Sequence, residues 1–344
     1  LLKLNGADFI LNYFFNFGSL LFMIFFFQVG SGVFLSFYYS SEDFLSFSSV
    51  QYLMIEVNNG WLFRLFHFNM VSLFFIILFF HILKALYYFS YRLSKVWNLG
   101  LMIFLLLMME AFLGYTLIWS QMSFWAATVI TSLLSVIPYF GFKLIVLLWC
   151  GYFLNSFSLK IFFFLHFISP LLILVLIFFH VLFLHEYGSS TKLSVSSKLS
   201  KRAFYPFYWV KDLMNFFILF LFFLFFLFNP FSFNEALSFV NVNNLVSPIH
   251  IVPEWYFLWA YAILRAFSIK WIGVLMMLFS VLVFFFMGKT KMMFDLLSNF
   301  ILSIFVLNFI LLIWLGCQEP IFPFIDLSFF SMVFYFILLL ILNI

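Results

Sequence analysis

The sequence predicts an all-α polytopic membrane protein with about eight transmembrane helices, and three observations carry that class. Of the 344 residues, 67% are apolar and only 8% are charged, whereas soluble domains sit near half apolar and a quarter charged. Apolar runs of about 20 residues, each enough to cross the ~30 Å hydrocarbon core, recur along the whole length. The runs are continuous rather than alternating, which excludes a transmembrane β-barrel.

Taken in order, the spans fall at 17–38, 61–88, 98–118, 161–185, 213–229, 271–288, 300–316 and 327–344. The segments 122–137 and 141–154 are apolar but interrupted by Ser, Pro and Gly, and are expected to form shorter interfacial helices on one side. The loop 186–211 is the longest polar stretch and holds five of the chain's sixteen Lys and Arg residues. It divides a four-span N-terminal part, 1–211, from a four-span C-terminal part, 212–344. No internal repeat and no low-complexity linker is visible.

Loop charge sets the expected orientation. With eight spans both termini share a side, and that side collects Lys3, Lys84, Arg92, Lys95, Lys192, Lys198, Lys201, Arg202, Lys211, Lys289 and Lys291. The opposite side has Arg64, Lys143, Lys160, Arg265 and Lys270. Eleven against five puts both termini on the inner side, the matrix or cytoplasm. A net charge of +4 gives no footing for nucleic acid. The two cysteines, Cys150 and Cys317, form neither CxxC nor CxxCH, so no disulfide framework and no covalently attached haem is expected. The chain starts at Leu1, and no cleavable signal or transit peptide is expected ahead of the first span. The 63 phenylalanines suggest a T-rich coding sequence, as in an organellar genome.

Imidazoles inside membrane helices are expensive and usually functional. His67 and His81 lie 14 residues apart in the second span, and His166 and His180 repeat that interval in the fourth. Fourteen residues return within about 40° of one helix face and advance about 21 Å. A single membrane histidine is most simply a helix–helix hydrogen-bonding group. Two pairs at one interval point instead to two planar metal cofactors stacked across the membrane, each gripped by one histidine from each helix. Glycines repeat the interval: Gly18 and Gly32 in the first span, Gly100 and Gly114 in the third. Lacking side chains, they allow backbone to approach a flat macrocycle, although small residues also serve plain helix packing. Alternating span direction sets Gly18 and Gly100 level with His81 and His180, and Gly32 and Gly114 level with His67 and His166. Arg64 and Lys84, near the two ends of the second span, are placed to neutralise haem propionates, or in the case of Lys84 to snorkel.

These residues carry a family resemblance. The blocks "NFGSLL", "GWLFRLFHFN", "GYTLIWSQMSFWAATVITSLLSVIPYFG", "LHFISP", "FLHEYGSS" and "SPIHIVPEWYFLWAYAILRAF" resemble mitochondrial cytochrome b, the di-haem subunit of the quinol–cytochrome c oxidoreductase (complex III, the bc1 complex). The resemblance runs from about residue 16 to the last span. It implies an N-terminal four-helix bundle enclosing two non-covalent b-type haems, followed by C-terminal helices. His67 and His166 would bind the low-potential haem near the outer face, and His81 and His180 the high-potential haem near the inner face. The equal spacing is similar to mitochondrial and bacterial members; the chloroplast relative has one more residue between its fourth-helix ligands.

The resemblance also implies two quinone pockets and a proton-translocating activity. At the outer site Glu254 would accept a proton from ubiquinol, with Tyr115, Tyr256 and Tyr261 nearby and Pro253 and Ala126 lining the pocket. A carboxylate in an apolar pocket takes a proton readily; read without the family, Glu254 beside Pro253 is equally a helix-capping acid. At the inner site His185 would donate to a quinone carbonyl with Ser189, Asp212 would supply protons, Lys211 would stabilise the reduced anion, and Asn16 would add a weaker contact. One electron would go to a Rieske iron–sulfur protein and the other through the two haems to the inner pocket. Because the chain lacks cysteines for an iron–sulfur or c-type centre, the expected partners are the Rieske protein, cytochrome c1 and other bc1 subunits, in a homodimeric complex of the mitochondrial inner membrane with both termini on the matrix side. A histidine proton relay in a secondary transporter would need discontinuous helices and inverted repeats, which are not visible. A stand-alone di-haem reductase leaves the last four spans and the PEWY loop without a role.

Three departures from the family stand out. The N-terminal segment is about a dozen residues shorter, so the surface helix at the inner site is expected to be reduced. Ile118 replaces a usual proline, so the third span is expected to end differently. Ala126 replaces a common glycine, and its methyl intrudes where some outer-site inhibitors sit. The expected outcome is weak sensitivity to methoxyacrylate-type inhibitors with quinol oxidation intact; inhibition at ordinary concentrations in a turnover assay would refute it.

Overall fold

In hydrocarbon the α-helix is the one open-chain fold that satisfies every backbone polar group internally. The computed structural model describes residues 6–8, 11–189, 201–287 and 295–343, and it is almost wholly helical. Its helices are α1 (Phe17–Ser36), α2 (Ser46–Ile55), α3 (Gly60–Tyr87), α4 (Ser94–Thr116), α5 (Gln121–Ser132), α6 (Gly141–Trp149), α7 (Ser156–Tyr187), α8 (Phe207–Phe228), α9 (Leu258–Arg265), α10 (Lys270–Leu282), α11 (Asp295–Cys317) and α12 (Phe324–Asn343). Two three-residue strands, β1 (Gly6–Asp8) and β2 (Lys201–Ala203), pair antiparallel with Ala7 opposite Arg202.

Seven helices among the described residues are long and apolar enough to cross a membrane: Tyr13–Ser36, which includes the short turn before α1, then α3, α4, α7, α8, Leu296–Cys317 and α12. They match seven of the eight expected spans. The sixth, expected over 271–288, is the shorter apolar segment Lys270–Phe286, where α10 tightens into a 3-10 turn at Val283–Phe286. Seventeen helical residues rise only about 25 Å, a little less than the ~30 Å core. The interrupted segments form α5, α6 and a turn at Leu133–Val136, as expected. Helices α2 and α9 and the small ribbon were not expected. Lys3, Lys192, Lys198, Lys289 and Lys291, which entered the charge comparison, lie outside the described residues.

The chain divides into two compact units, residues 1–40, 48–99 and 174–235 in the first and 41–47, 100–173 and 236–344 in the second. In the first, α1 runs against α3, and α8 packs on both. Buried Asn69 of α3 donates to the Pro230 carbonyl at 3.0 Å, tying α3 to the end of α8. In the second, α9 is the hub for α10, α11 and α12. Buried Asn308 of α11 clasps Ser331 of α12, accepting from its hydroxyl at 2.8 Å and donating to its carbonyl at 3.0 Å. The Tyr335 hydroxyl of α12 donates to the Ser280 carbonyl of α10 at 2.9 Å. Between apolar helices such bonds carry specificity that Leu and Phe contacts lack, at about 0.6 kcal/mol each and more in favourable cases.

Local signals start and stop the helices. Ser120 caps α5 in a reciprocal box with Ser123, each side chain meeting the other's backbone N–H. Cys150 takes a left-handed backbone, φ 51°, and ends α6. Pro170 lies inside α7. It has no N–H to donate to the carbonyl four residues back, which belongs to His166. Gly316 marks a close helix approach: a Cβ there would meet the Leu258 carbonyl of α9 well inside contact distance. Gly316→Val should therefore force α11 off α9 and cost about 1–3 kcal/mol, read as a lowered midpoint for thermal loss of the assembled protein; an unchanged midpoint would contradict this packing.

Candidate functional site

His81 on α3 and His180 on α7 face one another within the first unit, with ring centroids 6.4 Å apart and planes inclined by 62°. That separation is informative. A ring nitrogen lies about 1.2 Å from its centroid and bonds a first-row metal at about 2.0–2.1 Å, so two imidazoles on opposite sides of one ion have centroids about 6.4 Å apart. The two rings are thus spaced for one iron between them. Gly18 on α1 lies beside this pair, and a Cβ on it would rest in ordinary contact, 3.5 Å from His81 Cε1.

His67 is held from α1. Its Nδ1 lies 2.9 Å from Ser31 Oγ, and Gln28 donates to its carbonyl at 2.9 Å. Ser31 spends its own proton on the Phe27 carbonyl at 2.7 Å, so it accepts from Nδ1–H of His67. In this tautomer Nε2 is the ring nitrogen that could ligate a metal. A Cβ on Gly32 would stand 3.1 Å from His67 Cε1.

His166 belongs to the second unit, where α4 holds it. Its Nδ1 lies 2.6 Å from Glu110 Oε1 and 3.1 Å from the Glu110 carbonyl. Ser169, one turn on, donates to Glu110 Oε2. A Cβ on Gly114 would come within 2.6 Å of His166 Cε1, tighter than side chains pack, so only glycine lets the ring lie there. Three of the four glycines thus abut histidines: Gly18 with His81, Gly32 with His67 and Gly114 with His166. The fourth, Gly100, is half-buried on α4. Arg64 and Lys84 make no ion pair among the described residues. Arg64 sits 5.5 Å above the Phe68 ring and Lys84 3.9 Å above that of Phe15.

The expected inner-site residues fall into two groups. Asp212 Oδ1 accepts from Asn16 Nδ2 and from Ser19 Oγ, both at 2.7 Å. Buried Asn215 extends the network, donating to Ser19 at 3.0 Å and accepting from the Tyr13 hydroxyl at 2.7 Å. Lys211 donates to the Leu11 carbonyl at 2.7 Å. His185, exposed, and Ser189, half-buried, lie at the end of α7 and form no hydrogen bond with this cluster among the described residues.

At the outer-site loop, Glu254 occupies the N-cap position of the turn Trp255–Phe257, yet its side chain makes no capping hydrogen bond. Tyr256 is buried beside it. Burial pushes the Tyr256 hydroxyl well above the ordinary tyrosine range, and the nearby Glu254 carboxylate and Tyr115 push it further, so it stays a neutral hydrogen-bond donor. Glu254, Tyr256 and Tyr115 are thereby brought together. Tyr261 reaches the Ile251 carbonyl at 3.5 Å, and Arg265 lies 4.7 Å over its ring. Pro253 is half-buried and Ala126, on capped α5, is buried. Helix α4 ends at Thr116, and Leu117 and Ile118 form a turn into Trp119, φ 56°.

Sequence reasoning missed Glu110, Ser169, Ser31, Ser19, Tyr13 and Asn215. For Glu110 a signal was present, because an acid within "LLLMMEAFLG" is a functional candidate by position alone. The serines and Asn215 carried none, since small polar residues are common in membrane helices.

Comparisons with known proteins give the chain its family. Residues 5–188 match the family described as Cytochrome b/b6/petB, and residues 241–336 match Cytochrome b(C-terminal)/b6/petD. The chain is 46% identical to cytochrome b of Caenorhabditis elegans over 304 residues, 88% of this chain and 82% of that protein. It is 41% identical to cytochrome b of Apis mellifera ligustica over 324 residues, 92% and 85% of the two chains. A solved chain from a hyperthermophilic respiratory complex III superposes with a TM-score of 0.91 at 26% identity, covering 98% of this chain and 93% of that one.

The absent cap bond at Glu254 makes a prediction. Glu254→Gln should leave thermal stability within about 0.5 kcal/mol of the parent; a loss near 1 kcal/mol, typical of a removed N-cap, would mean that the side chain works as a cap after all.

Proposed function

Since the chain belongs to the cytochrome b family, whose members bind haem in respiratory electron transport, we propose that it is the di-haem subunit of a quinol–cytochrome c oxidoreductase in the mitochondrial inner membrane. It is a multi-pass membrane protein of the complex III type. The observation that carries the finer reading is the pair His81 and His180, spaced for bis-imidazole ligation of one iron. A second pair, His67 and His166, stands one 14-residue interval away on the same two helices.

When bound, two haem b groups carry single electrons across the membrane and divide a path of about 21 Å into shorter transfers. The chain's own residues orient, shield and manage protons. His67 and His166 hold the outer group, His81 and His180 the inner one, and Arg64 and Lys84 neutralise carboxylates at their edges. Gly18, Gly32, Gly100 and Gly114 keep the helix surfaces flat where the macrocycles lie.

At the outer site Glu254 takes a proton from ubiquinol, because its carboxylate is not engaged in a cap and stands beside the neutral Tyr256 donor and Tyr115. Tyr261, Pro253 and Ala126 shape the pocket. At the inner site Asp212 hands protons to quinone; Asn16 and Ser19 hold its Oδ1 and so aim its other oxygen. Lys211 offsets negative charge on the reduced ring, and His185 with Ser189 contacts a carbonyl. Residues 1–211 form the di-haem part and residues 212–344 the part bearing the quinol loop. Both termini face the matrix. The partners are a Rieske iron–sulfur protein, cytochrome c1 and further bc1 subunits in a homodimeric complex.

A reduced-minus-oxidised spectrum of the purified complex tests the reading: two b-type haems with separable potentials are expected, and a complex without haem overturns it. His180→Leu should remove one of the two and block inner-site reduction. Glu254→Gln should keep both haems while slowing quinol oxidation on the order of a hundredfold.

A further inference from the structure

The carboxylate facing His166 has no place in the mechanism so far. Glu110 is the one acid of α4, and it lies one turn before Gly114. Its two oxygens are both committed: Oε1 lies 2.6 Å from His166 Nδ1, and Oε2 accepts from Ser169 Oγ. The Glu110 carbonyl backs the same ring nitrogen at 3.1 Å. The Glu110 and His166 side chains are only 15% and 22% exposed, so water screens the contact little. By contrast His67 Nδ1 meets the neutral hydroxyl of Ser31.

We propose that Glu110 is a positioning residue for the outer haem, holding the Nδ1–H of His166 in a charge-assisted hydrogen bond and thereby lowering that haem's reduction potential. The inference rests on the di-haem reading above. A carboxylate on Nδ1–H fixes the tautomer that leaves Nε2 free for iron, and it pushes electron density toward that nitrogen. A more basic ligand favours ferric over ferrous iron, so the potential falls. Ser169 shares the carboxylate's charge and tempers the effect. Gly114 leaves room for the ring beside the acid, and Pro170 removes the helical donor from the His166 carbonyl. If Glu110 served only to join α4 to α7, glutamine, which has the same shape and can bond Ser169, would replace it without electronic consequence.

The experiment is a redox titration of the assembled complex, followed at the absorption band of each haem. Glu110→Gln should raise the potential of the haem ligated by His166 and leave that of the His81–His180 haem in place. Each tenfold loss of preference for ferric iron reads as 59 mV for one electron. Glu110→Asp should return part of the shift. Two retained haems with unmoved potentials would overturn the proposal. Should Glu110→Gln fail to assemble, Ser169→Ala decides. It leaves the carboxylate wholly to His166, so the same haem should shift downward, and no shift overturns the proposal. A parent complex without b-type haem would instead sink the functional reading itself.

Discussion

Hydrocarbon offers no water to complete a hydrogen bond, and most of this protein follows from that one constraint. The backbone closes on itself as helices because an open carbonyl in lipid costs several kcal/mol. Side-chain polarity obeys the same rule: Asn308 finds Ser331, Tyr335 finds the Ser280 carbonyl, and Asn69 finds the Pro230 carbonyl. The candidate haem ligands are the same rule applied to imidazole. Each ring has two nitrogens, and in His67 and His166 it is Nδ1 that meets protein, Ser31 in one case and Glu110 in the other.

Close approach is the second theme, and it is unevenly spread. Gly316 lets α9 and α11 touch backbone to backbone, which is packing alone. Gly114, Gly32 and Gly18 do something different, because what a Cβ on each would face is a histidine ring. That Cβ would clash at Gly114, 2.6 Å away, crowd at Gly32, 3.1 Å, and rest in ordinary contact at Gly18, 3.5 Å. The tightest place belongs to the histidine that also meets a carboxylate, so α4 both makes room for His166 and holds its Nδ1.

Much of this was legible in the sequence, for identifiable reasons. Long apolar runs show the spans because length and composition decide them, and a 14-residue interval marks candidate ligand pairs because helical geometry is rigid. The span over 271–288 is the apolar segment Lys270–Phe286, but apolarity does not reveal that α10 tightens there into a 3-10 turn. Asn16 and Asp212 were expected together and are hydrogen-bonded, whereas Ser19, Tyr13 and Asn215 were not expected beside them. Their roles depend on α1 and α8 being neighbours, and no local pattern encodes that contact. Glu110 is another kind of omission. The residue was visible as an acid in a span, but its meaning depends on which ring faces it across the helix gap, and only tertiary structure supplies that.

The two carboxylates proposed for proton work are held in opposite ways, and the difference bears on their chemistry. Asp212 has one oxygen fixed by two donors at 2.7 Å, with Asn215 and Tyr13 bracing Ser19 behind them. Such a carboxylate is preorganised: its accepting geometry is set before a quinone arrives, and only the second oxygen is left to exchange protons. Glu254 sits at a helix start without using the cap that position offers. Its carboxylate is therefore not spent on the backbone N–H groups of the turn it opens. Local backbone sequence places both acids, while the donors from α1 fix the geometry of Asp212.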